Sequence, residues 1–422
     1  MNYKKKVLKN GLRIVVIPMK DTLSVTVMSL IEAGSKYETK KINGLSHFLE
    51  HMCFKGTKKR PTAMDIAKEF DAMGAQNNAF TSQEFTGYWA KAHSKHKEKM
   101  IEIIADMYLN PTFPVDDLER EKGVIIEELN MYEDLPMRSV HDVWNELLYG
   151  DQPAGWPIIG TINNIRAFTR DHFVNYRKDL YKSESTIILV AGNVEAKDIF
   201  KKVQKYFEKI PTGKKKKKLK VKEKQTKPAI KIKYKDTDQT HLIIGVRAFD
   251  TNDKNTPALK VLSAVLGGGM SSRLFQKMRD ELGICYYVKS YVDQLTDHGV
   301  LMVTAGVDSK RVDEGILGIL GELKKIRDNK INGAELRKAK DFLIGNMYLG
   351  LESSDSLTEF YGMQEILSDK IQTPKDQEKE IEKVTSQDIA RVAKSLIKND
   401  CLNMAIVGKY KDSKKFQKIL KV

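Results

Sequence analysis

Two histidines and a glutamate lie within five positions of the segment GLSHFLEHMCFKG, residues 44–56. His47 and His51 are four residues apart, and on a helix that spacing lets both imidazoles bind one cation. Zinc accepts such nitrogen ligands at about 2.0–2.1 Å. Glu50, between them, adds a carboxylate to the same segment. An exposed polar helix face with two ordinary histidines is the alternative. A metal site requires a third ligand.

The residues around this trio must form a helix that turns it away from the core. Apolar residues follow the i, i+3, i+4, i+7, i+8 spacing of a helix with one buried face: Leu45, Phe48, Leu49, Met52 and Cys53. At about 100° per residue, the polar trio shares the opposite face. Gly56 is predicted to end this helix.

A second helix, predicted over residues 115–135, carries the candidates for the third ligand. Its apolar stripe is Leu118, Ile125, Leu129 and Tyr132. Glu121 and Glu128 are seven residues apart and project from nearly the same side, beside this stripe, whereas Glu127 is rotated about 100° from Glu128. A carboxylate at a core boundary needs a partner, because an unpaired buried charge is costly. Glu128 is therefore the better ligand candidate, and a pair of solvated glutamates is the alternative.

These motifs resemble the inverted zincins, the pitrilysin and insulin-degrading-enzyme group. In size, the chain is most similar to mitochondrial processing peptidase subunits and their bacterial relatives. HFLEH is followed by VIIEELNMYED, with Glu128 at 128 − 51 = 77 residues past His51. Similar segments spread over nearly the whole chain: KNGLRIVV at 9–16, GAQNNAFTSQEFTGY at 74–88 and GGGMSSRLFQKMRDELGICYYV at 267–288. The resemblance implies one zinc ion per chain, held by His47, His51 and Glu128, with Glu50 as catalytic base.

The resemblance also implies roles that spacing alone leaves open. Glu121 would be a carboxylate behind the ligands that orients a histidine, and an ordinary ion-pair residue is the equal alternative. Asn78, Ala79 and Thr81 would contact substrate, because the family uses the equivalent strand as an edge that pairs with an extended peptide. An ordinary sheet strand is the alternative.

Arg279 and Tyr286 lie seven residues apart in MRDELGICYYV. The two residues are not expected on one helix, so helical spacing does not place their side chains together. Without the resemblance, the sequence indicates a surface arginine and a core tyrosine. The family carries an Arg and a Tyr at this spacing in the half opposite the metal, where they reach across the cleft to the bound peptide. The resemblance therefore implies catalytic roles for both.

The sequence repeats itself, which predicts two homologous domains. Residues 169–192 and 385–408 both indicate an amphipathic helix, a polar turn and an apolar strand ending in Gly, at an offset of 385 − 169 = 216. The long helix of Glu128 is likewise paralleled by residues 334–352. Asn10-Gly11 predicts a hairpin. The predicted fold class is α+β, with each domain a mainly antiparallel sheet that helices cover on one face. In the family, the two domains form a clamshell.

The predicted domains are a zinc-binding catalytic domain over 1–212, a Lys-rich linker over 213–228 and a homologous domain without a metal site over 229–422. The second half has only His241 and His298 and no HxxEH motif, and Asn346 stands at the position that matches Glu128.

The net charge of +16 does not indicate nucleic-acid binding. Residues 214–227 hold nine lysines and one glutamate, so +8 of the excess lies in one short run. No aromatic residues are interleaved there to stack on bases. A charged run without apolar periodicity is typical of a solvated linker.

The remaining composition predicts a protein of the reducing cytoplasm. No apolar run reaches the roughly 18 residues of a membrane span, and the start MNYKKKVLKNG lacks the apolar region of a secretory signal. The three cysteines, Cys53, Cys285 and Cys401, are too scattered for a disulfide framework. An organellar matrix after processing is the alternative.

The predicted function is a zinc-dependent endopeptidase that cleaves peptides or unfolded polypeptides by attack of metal-activated water. A non-catalytic or assembly subunit of a processing-peptidase-like heterodimer is the alternative, although the intact motif speaks against it. The resemblance implies a homodimer or a heterodimer with a related subunit, and no nucleic-acid or membrane partner is expected.

Overall fold

The computed structural model describes residues 3–368 and 370–422. Its strands are β1 (Lys4–Val7), β2 (Arg13–Pro18), β3 (Ser24–Ile31), β4 (Gln76–Thr81), β5 (Thr86–His93), β6 (Thr186–Gly192), β7 (Ala229–Tyr234), β8 (Gln239–Ala248), β9 (Cys285–Gln294), β10 (Gly299–Asp308) and β11 (Asn403–Gly408). Helices of the first half are α1 (Leu45–Met52), α2 (Ala63–Asp71), α3 (Lys97–Leu109), α4 (Val115–Asp134), α5 (Pro136–Tyr149), α6 (Ile162–Ala167), α7 (Arg170–Leu180) and α8 (Ala196–Tyr206).

Helices of the second half are α9 (Thr256–Gly267), α10 (Arg273–Phe275), α11 (Val312–Asp328), α12 (Gly333–Gly350), α13 (Ser354–Leu367), α14 (Pro374–Lys383), α15 (Ser386–Leu396) and α16 (Lys414–Gln417). A π-helix over Gln276–Glu281 continues α10. No helix within the described residues is both long enough and apolar enough to cross a bilayer.

Two compact units contain these elements. Unit 1 comprises the described residues of 1–129, 156–219 and 350–373, and unit 2 comprises those of 130–155, 220–349 and 374–422. Each unit has one mainly antiparallel sheet with helices packed on it, which confirms the predicted fold class. The linear bounds 1–212, 213–228 and 229–422 remain a prediction. The two units follow other bounds, since unit 2 contains α5, unit 1 contains α13, and the boundary at residues 219 and 220 lies inside the predicted linker.

The six-stranded sheet of unit 1 has the order β1-β2-β6-β3-β5-β4. Neighbouring strands are antiparallel except for the parallel pair β2 and β6. The predicted turn at Asn10-Gly11 joins β1 to β2, and Gly11 takes the left-handed φ of 87° that such turns require. Strand β4 forms one edge of this sheet, so the backbone of the predicted substrate strand has one side without a strand partner within the described residues.

The five-stranded sheet of unit 2 repeats this order as β7-β11-β8-β10-β9, again with one parallel pair, β7 and β11. Strands β11, β8, β10 and β9 therefore occupy the positions of β6, β3, β5 and β4. Helix α15 begins at Ser386 and α7 at Arg170, an offset of 386 − 170 = 216. The internal duplication is thus present in the element order as well as in the sequence.

Helices cover both faces of each sheet, whereas one covered face was predicted. On one face of unit 1, Val25 and Val27 of β3 belong to the same core as α1, α3 and α7. On the other face lies α13, where a Cβ added at Gly362 would meet Leu30 and Leu189 at 3.3 Å. In unit 2, the second face is covered by α5, whose apolar side chains share a cluster with Ile243, Met302 and Ala405.

The lysine-rich segment forms neither helix nor strand over residues 211–225, as expected of a linker, but it is not simply solvated. In unit 1, Lys215 pairs with Glu32, Lys216 with Asp179 at 3.1 Å and Lys218 with Glu84 at 2.8 Å. In unit 2, the backbone N–H of Val221 donates to Asp297 at 3.0 Å and that of Lys222 donates to Gln152 at 2.9 Å. Its lysines therefore neutralise carboxylates of unit 1.

Candidate metal centre

A buried carboxylate caps the start of α1. Oε2 of Glu38 accepts a hydrogen bond from the backbone N–H of Gly44 at 2.8 Å, and Oε1 accepts from the N–H and the hydroxyl of Ser46 at 2.6 and 2.5 Å. These donors include N–H groups that the first turn of a helix leaves without intrahelical partners. Burial raises the pKa of Glu38 to about 7, against the opposing effect of the hydrogen bonds. The anchor fixes where α1 begins.

The body of α1 has the predicted buried face, which consists of Leu45, Phe48, Leu49, Met52 and Cys53. The helix ends at Met52, four residues before Gly56, where the sequence had predicted its end. Gly56 lies in the following turn at a φ of 136°, where a Cβ would meet the Pro61 carbonyl oxygen at 2.3 Å. Glycine is therefore required there for the turn and not for the helix end.

Helix α4 brings Glu128 to the two histidines of α1. Oε2 of Glu128 lies 3.7 Å from Nε2 of His47 and 3.5 Å from Nε2 of His51. One ligand atom from each residue can be chosen so that all lie within 4.8 Å of one another. Ligand atoms at about 2.0–2.1 Å from a tetrahedral zinc would be roughly 3.4 Å apart. The donor set and its spacing therefore fit a zinc ion after a small contraction.

The neighbouring carboxylates of α4 differ in direction, as helical phase predicts. Glu127 is exposed, Glu128 is half-buried and Glu121 is buried. Oε1 of Glu121 lies 2.9 Å from Nδ1 of His51, and Nζ of Lys55 lies 2.6 Å from its Oε2. A carboxylate at Nδ1 favours the proton on that nitrogen and leaves Nε2 free to bind metal.

The pKa shifts around this cluster follow from burial and charge. Burial and the nearby His51 lower the pKa of His47 to about 4, with Glu128 opposing, so the His47 imidazole is neutral at pH 7. Burial lowers the pKa of His51, but the hydrogen bond to Glu121 and the surrounding carboxylates outweigh burial, and the net pKa is raised. Burial raises the pKa of Glu121, but its bonds to His51 and Lys55 produce a net decrease.

Glu50 lies beside the cluster with its carboxylate buried. Burial raises its pKa, while the hydrogen bond from Thr81 and the charge of His51 oppose the increase. The Thr81 hydroxyl donates to Oε2 of Glu50. Glu50 is close enough to His51 and Glu128 for their charges to act on it, and its raised pKa brings it toward the range useful for proton transfer near neutral pH.

The predicted substrate residues lie along β4. Asn78 is exposed and its Oδ1 accepts the backbone N–H of Ala79 at 2.8 Å, whereas Ala79 packs against the core of unit 1. Thr81 is the member of this set that reaches the candidate centre, through Glu50. The substrate contacts of all three remain predictions.

In unit 2, the structure brings Arg279 and Tyr286 together, although helical phase did not. Nη1 of Arg279 donates to the Tyr286 carbonyl oxygen at 2.5 Å, and the guanidinium carbon lies 5.3 Å from the Tyr286 ring centroid. The Tyr286 side chain is on the surface, with 74% of the residue exposed. The interpretation of Tyr286 as a core residue is therefore wrong. Both residues line a cavity of about 570 Å³. Their catalytic roles remain predictions.

The equivalent of Glu128 in unit 2 is polar but uncharged. Glu128 lies 128 − 115 = 13 residues after the start of α4, and Asn346 lies 346 − 333 = 13 residues after the start of α12. Within residues 3–368 and 370–422, His47, His51 and Glu128 form the one cluster of three side chains suited to hold a metal.

Sequence reasoning missed two residues that support the centre, Glu38 and Lys55, and it predicted a substrate contact for Thr81 but not its hydrogen bond to Glu50. An acidic residue shortly before a predicted helix is a general capping signal, and it could have indicated Glu38. Lys55 lies one turn past His51, but α1 has already ended there. Helical periodicity therefore could not predict the contact of Lys55 with Glu121.

Solved structures share this fold over nearly the whole chain. A protease from Helicobacter pylori superposes with a TM-score of 0.89 at 24% identity, over 96% of this chain and 99% of that chain. The peptidase M16 inactive domain from Pseudomonas fluorescens superposes with a TM-score of 0.89 at 18% identity, over 97% and 99%. At these identities, the likeness defines the class of fold, a duplicated α+β chain of the peptidase M16 type.

Sequence comparison identifies the family. The insulinase (peptidase family M16) profile matches residues 13–162, and the peptidase M16 inactive domain profile matches residues 167–343. The uncharacterised zinc protease YmxG of Bacillus subtilis is 36% identical over 93% of this chain and 95% of its own. An uncharacterised zinc protease of Mycobacterium leprae is 34% identical over 98% and 94%. The chain belongs to the insulinase family of peptidases, M16.

Proposed function

We propose that this protein is a zinc-dependent endopeptidase that cleaves peptides or unfolded polypeptides. The observation that carries the proposal is the cluster of His47, His51 and Glu128, whose ligand atoms lie within 4.8 Å of one another beside Glu50. Relatives named zinc proteases support zinc as the metal. One ion per chain is proposed, because the described residues form one such cluster.

A zinc ion held there would supply Lewis acidity, which activates water and polarises a scissile carbonyl. Glu50 accepts the proton of the attacking water and returns it to the leaving amine, which is general base and then general acid catalysis. His47 and His51 would hold the ion through Nε2, together with the carboxylate of Glu128. Glu121 holds Nδ1 of His51 and so fixes the ring's tautomer and direction, while Lys55 neutralises Glu121.

Substrate contacts are proposed on two edge strands. The exposed edge of β4 can pair with the main chain of an extended peptide, with Asn78 and Ala79 beside it. In unit 2, Tyr286 on β9 is proposed to donate a hydrogen bond to the developing oxyanion, with Arg279 orienting it. A surface tyrosine held by a guanidinium has the phenol available for this role.

The alternative is a non-catalytic or assembly subunit of a processing-peptidase-like heterodimer. The description of the second matched profile as an inactive domain supports this alternative, whereas the cluster of His47, His51 and Glu128 supports catalysis. A homodimer or a pair with a related subunit, and a cytoplasmic location, stay part of the proposal.

Zinc analysis combined with cleavage of a quenched peptide tests the proposal. The wild-type protein is expected to bind one zinc and to cleave. Glu50→Gln should retain zinc and lose turnover, because it removes the proton acceptor and spares the ligands. Tyr286→Phe should lower kcat by about 10²-fold at unchanged zinc content, as for an oxyanion donor. A zinc-loaded wild type that cleaves no peptide favours the assembly subunit.

A further inference from the structure

We propose that Thr81 is a positioning residue, whose hydroxyl holds one oxygen of the Glu50 carboxylate and so aims the other at the site of proton transfer. The inference rests on the proposed function and gives Thr81 a task other than the predicted contact with substrate. It is carried by the hydrogen bond from Thr81 Oγ1 to Glu50 Oε2. Within the described residues, Thr81 is the one side chain that donates a hydrogen bond to this carboxylate.

The sheet determines where the Thr81 hydroxyl lies. Thr81 is the last residue of β4 and pairs with Thr86 of β5. Side chains alternate along a strand, so Thr81 shares a face with Ala79, which packs against the core that contains α1. Phe80 points to the other face, where it covers Gly87 so closely that a Cβ there would meet its ring at 2.3 Å. The strand therefore cannot rotate to exchange its faces.

The turn that follows Thr81 is fixed by buried contacts. The backbone N–H of Lys36 donates to the Gln83 carbonyl at 2.8 Å, and that of Ser82 donates to the Phe85 carbonyl at 2.8 Å. The ammonium of Lys36 lies 2.8 Å from Glu84, and both side chains are almost completely buried. An ion pair buried to this degree holds its geometry, because separating two charges at such depth is costly.

A fixed hydroxyl matters because a glutamate has three rotatable side-chain bonds. Threonine is branched at Cβ and has few χ1 rotamers, so it is a stiffer anchor than serine. The hydrogen bond from Thr81 to Oε2 restricts rotation of the Glu50 carboxylate and so limits the directions that Oε1 can take. Holding a catalytic group within a fraction of an ångström of its productive position is a large part of catalysis.

The test compares Thr81→Val with the wild type as zinc-loaded full-length proteins on a quenched peptide. Val has the shape of Thr without the hydroxyl. The kcat of Thr81→Val should fall roughly tenfold, a part of the about 10²–10⁴-fold that a general base contributes. KM should stay within about twofold and zinc content unchanged, because Thr81→Val keeps the main chain of β4, which would pair with substrate, and all three metal ligands. Unchanged kcat overturns the inference.

Rescue and a matched control separate positioning from loss of structure. Thr81→Ser keeps the hydroxyl and should retain kcat within about threefold, whereas Thr81→Ala should resemble Thr81→Val. The Ser and Ala pair decides the question if Val does not fold. Thr86→Val removes a hydroxyl from the same hairpin, one that donates to the Ala33 carbonyl at 2.8 Å. It should lower the melting temperature and keep kcat. An equal loss of kcat in Thr86→Val means that the effect is structural.

A crystal structure of the zinc-loaded protein tests the contact without any activity. Thr81 Oγ1 is expected within hydrogen-bonding distance of Glu50 in the wild type, and the Glu50 carboxylate is expected to be displaced in Thr81→Val. A wild-type structure with Glu50 turned away from Thr81 overturns the inference even if peptides are cleaved. A protein with the contact but without cleavage overturns the proposed function and leaves the contact standing.

Discussion

Two adjacent glutamates of α4 offer a direct test of the ligand set. Glu128 faces the histidines, whereas Glu127 is exposed on the neighbouring face. Glu128→Gln should weaken zinc binding by at least about 100-fold, because losing a ligand costs more than losing a group behind one. Glu127→Gln should change it less than about twofold. Competition with a chromophoric chelator measures both variants. The reverse order would mean that the register of α4 is wrong.

The sequence predicts those residues of the candidate site whose helix face follows from the spacing of nearby apolar residues. The phases of His47, Glu50 and His51 follow from one turn of helix, and that of Glu128 follows from the apolar stripe of α4. The partner of Glu50 could not be predicted in this way. Thr81 lies 81 − 50 = 31 residues away, and its contact depends on the register between β4 and β5 and on the packing of α1 against the sheet.

At the scale of elements, the start of α1 predicts a pH-dependent stability. Burial raises the folded-state pKa of Glu38 to about 7, above the ordinary value near 4.3. The folded state therefore favours the protonated form. The stability that Glu38 contributes is complete below about pH 4 and is lost as pH rises through about 7. A pKa shift of this size lowers the free energy of unfolding by roughly 2–3 kcal/mol between pH 5 and pH 8.

Glu38→Gln cannot ionise and should lack this component. Urea unfolding of metal-free protein, with chelator present, gives the free energy of unfolding at pH 5.5, 6.5 and 7.5. The difference in stability between wild type and Glu38→Gln is expected to shift toward the variant as pH rises. Parallel pH profiles would mean that the four hydrogen-bond donors around Glu38 keep it ionised throughout.

The strands also contain information that the predicted fold did not use. SVTVMSLI of β3 and TIILVAG of β6 are buried along almost their whole length. The apolar run of β6 is typical of strands that are covered on both faces, whereas β3 also includes Ser24, Thr26 and Ser29. The sequence therefore indicates a second covering layer, but it does not say which helix supplies it. Residue 354, where α13 begins, is 354 − 31 = 323 positions past the end of β3.

At the scale of the whole molecule, each half of the sequence contributes one helix to the unit built mainly by the other half. Helix α5 belongs to unit 2, where Val140 and Trp144 are buried against its sheet. Helix α13 belongs to unit 1, where Glu365 pairs with Arg13 at 3.4 Å and Lys5 at 2.6 Å. A chain divided at the linker would leave each unit without one helix.

The exchange of helices predicts that residues 1–212 do not fold independently. Without α13, the sheet of unit 1 would expose Leu30 and Leu189, and α5 would have no sheet to cover with Trp144. An apolar surface of that kind drives association. The fragment should therefore bind a dye such as ANS and elute as aggregates, whereas the full chain should do neither. A synthetic peptide of residues 350–368 should reduce the dye signal, and a scrambled peptide of the same composition should not. A monomeric fragment 1–212 that binds zinc, binds no dye and melts cooperatively would contradict the prediction, and α13 would then be dispensable to unit 1.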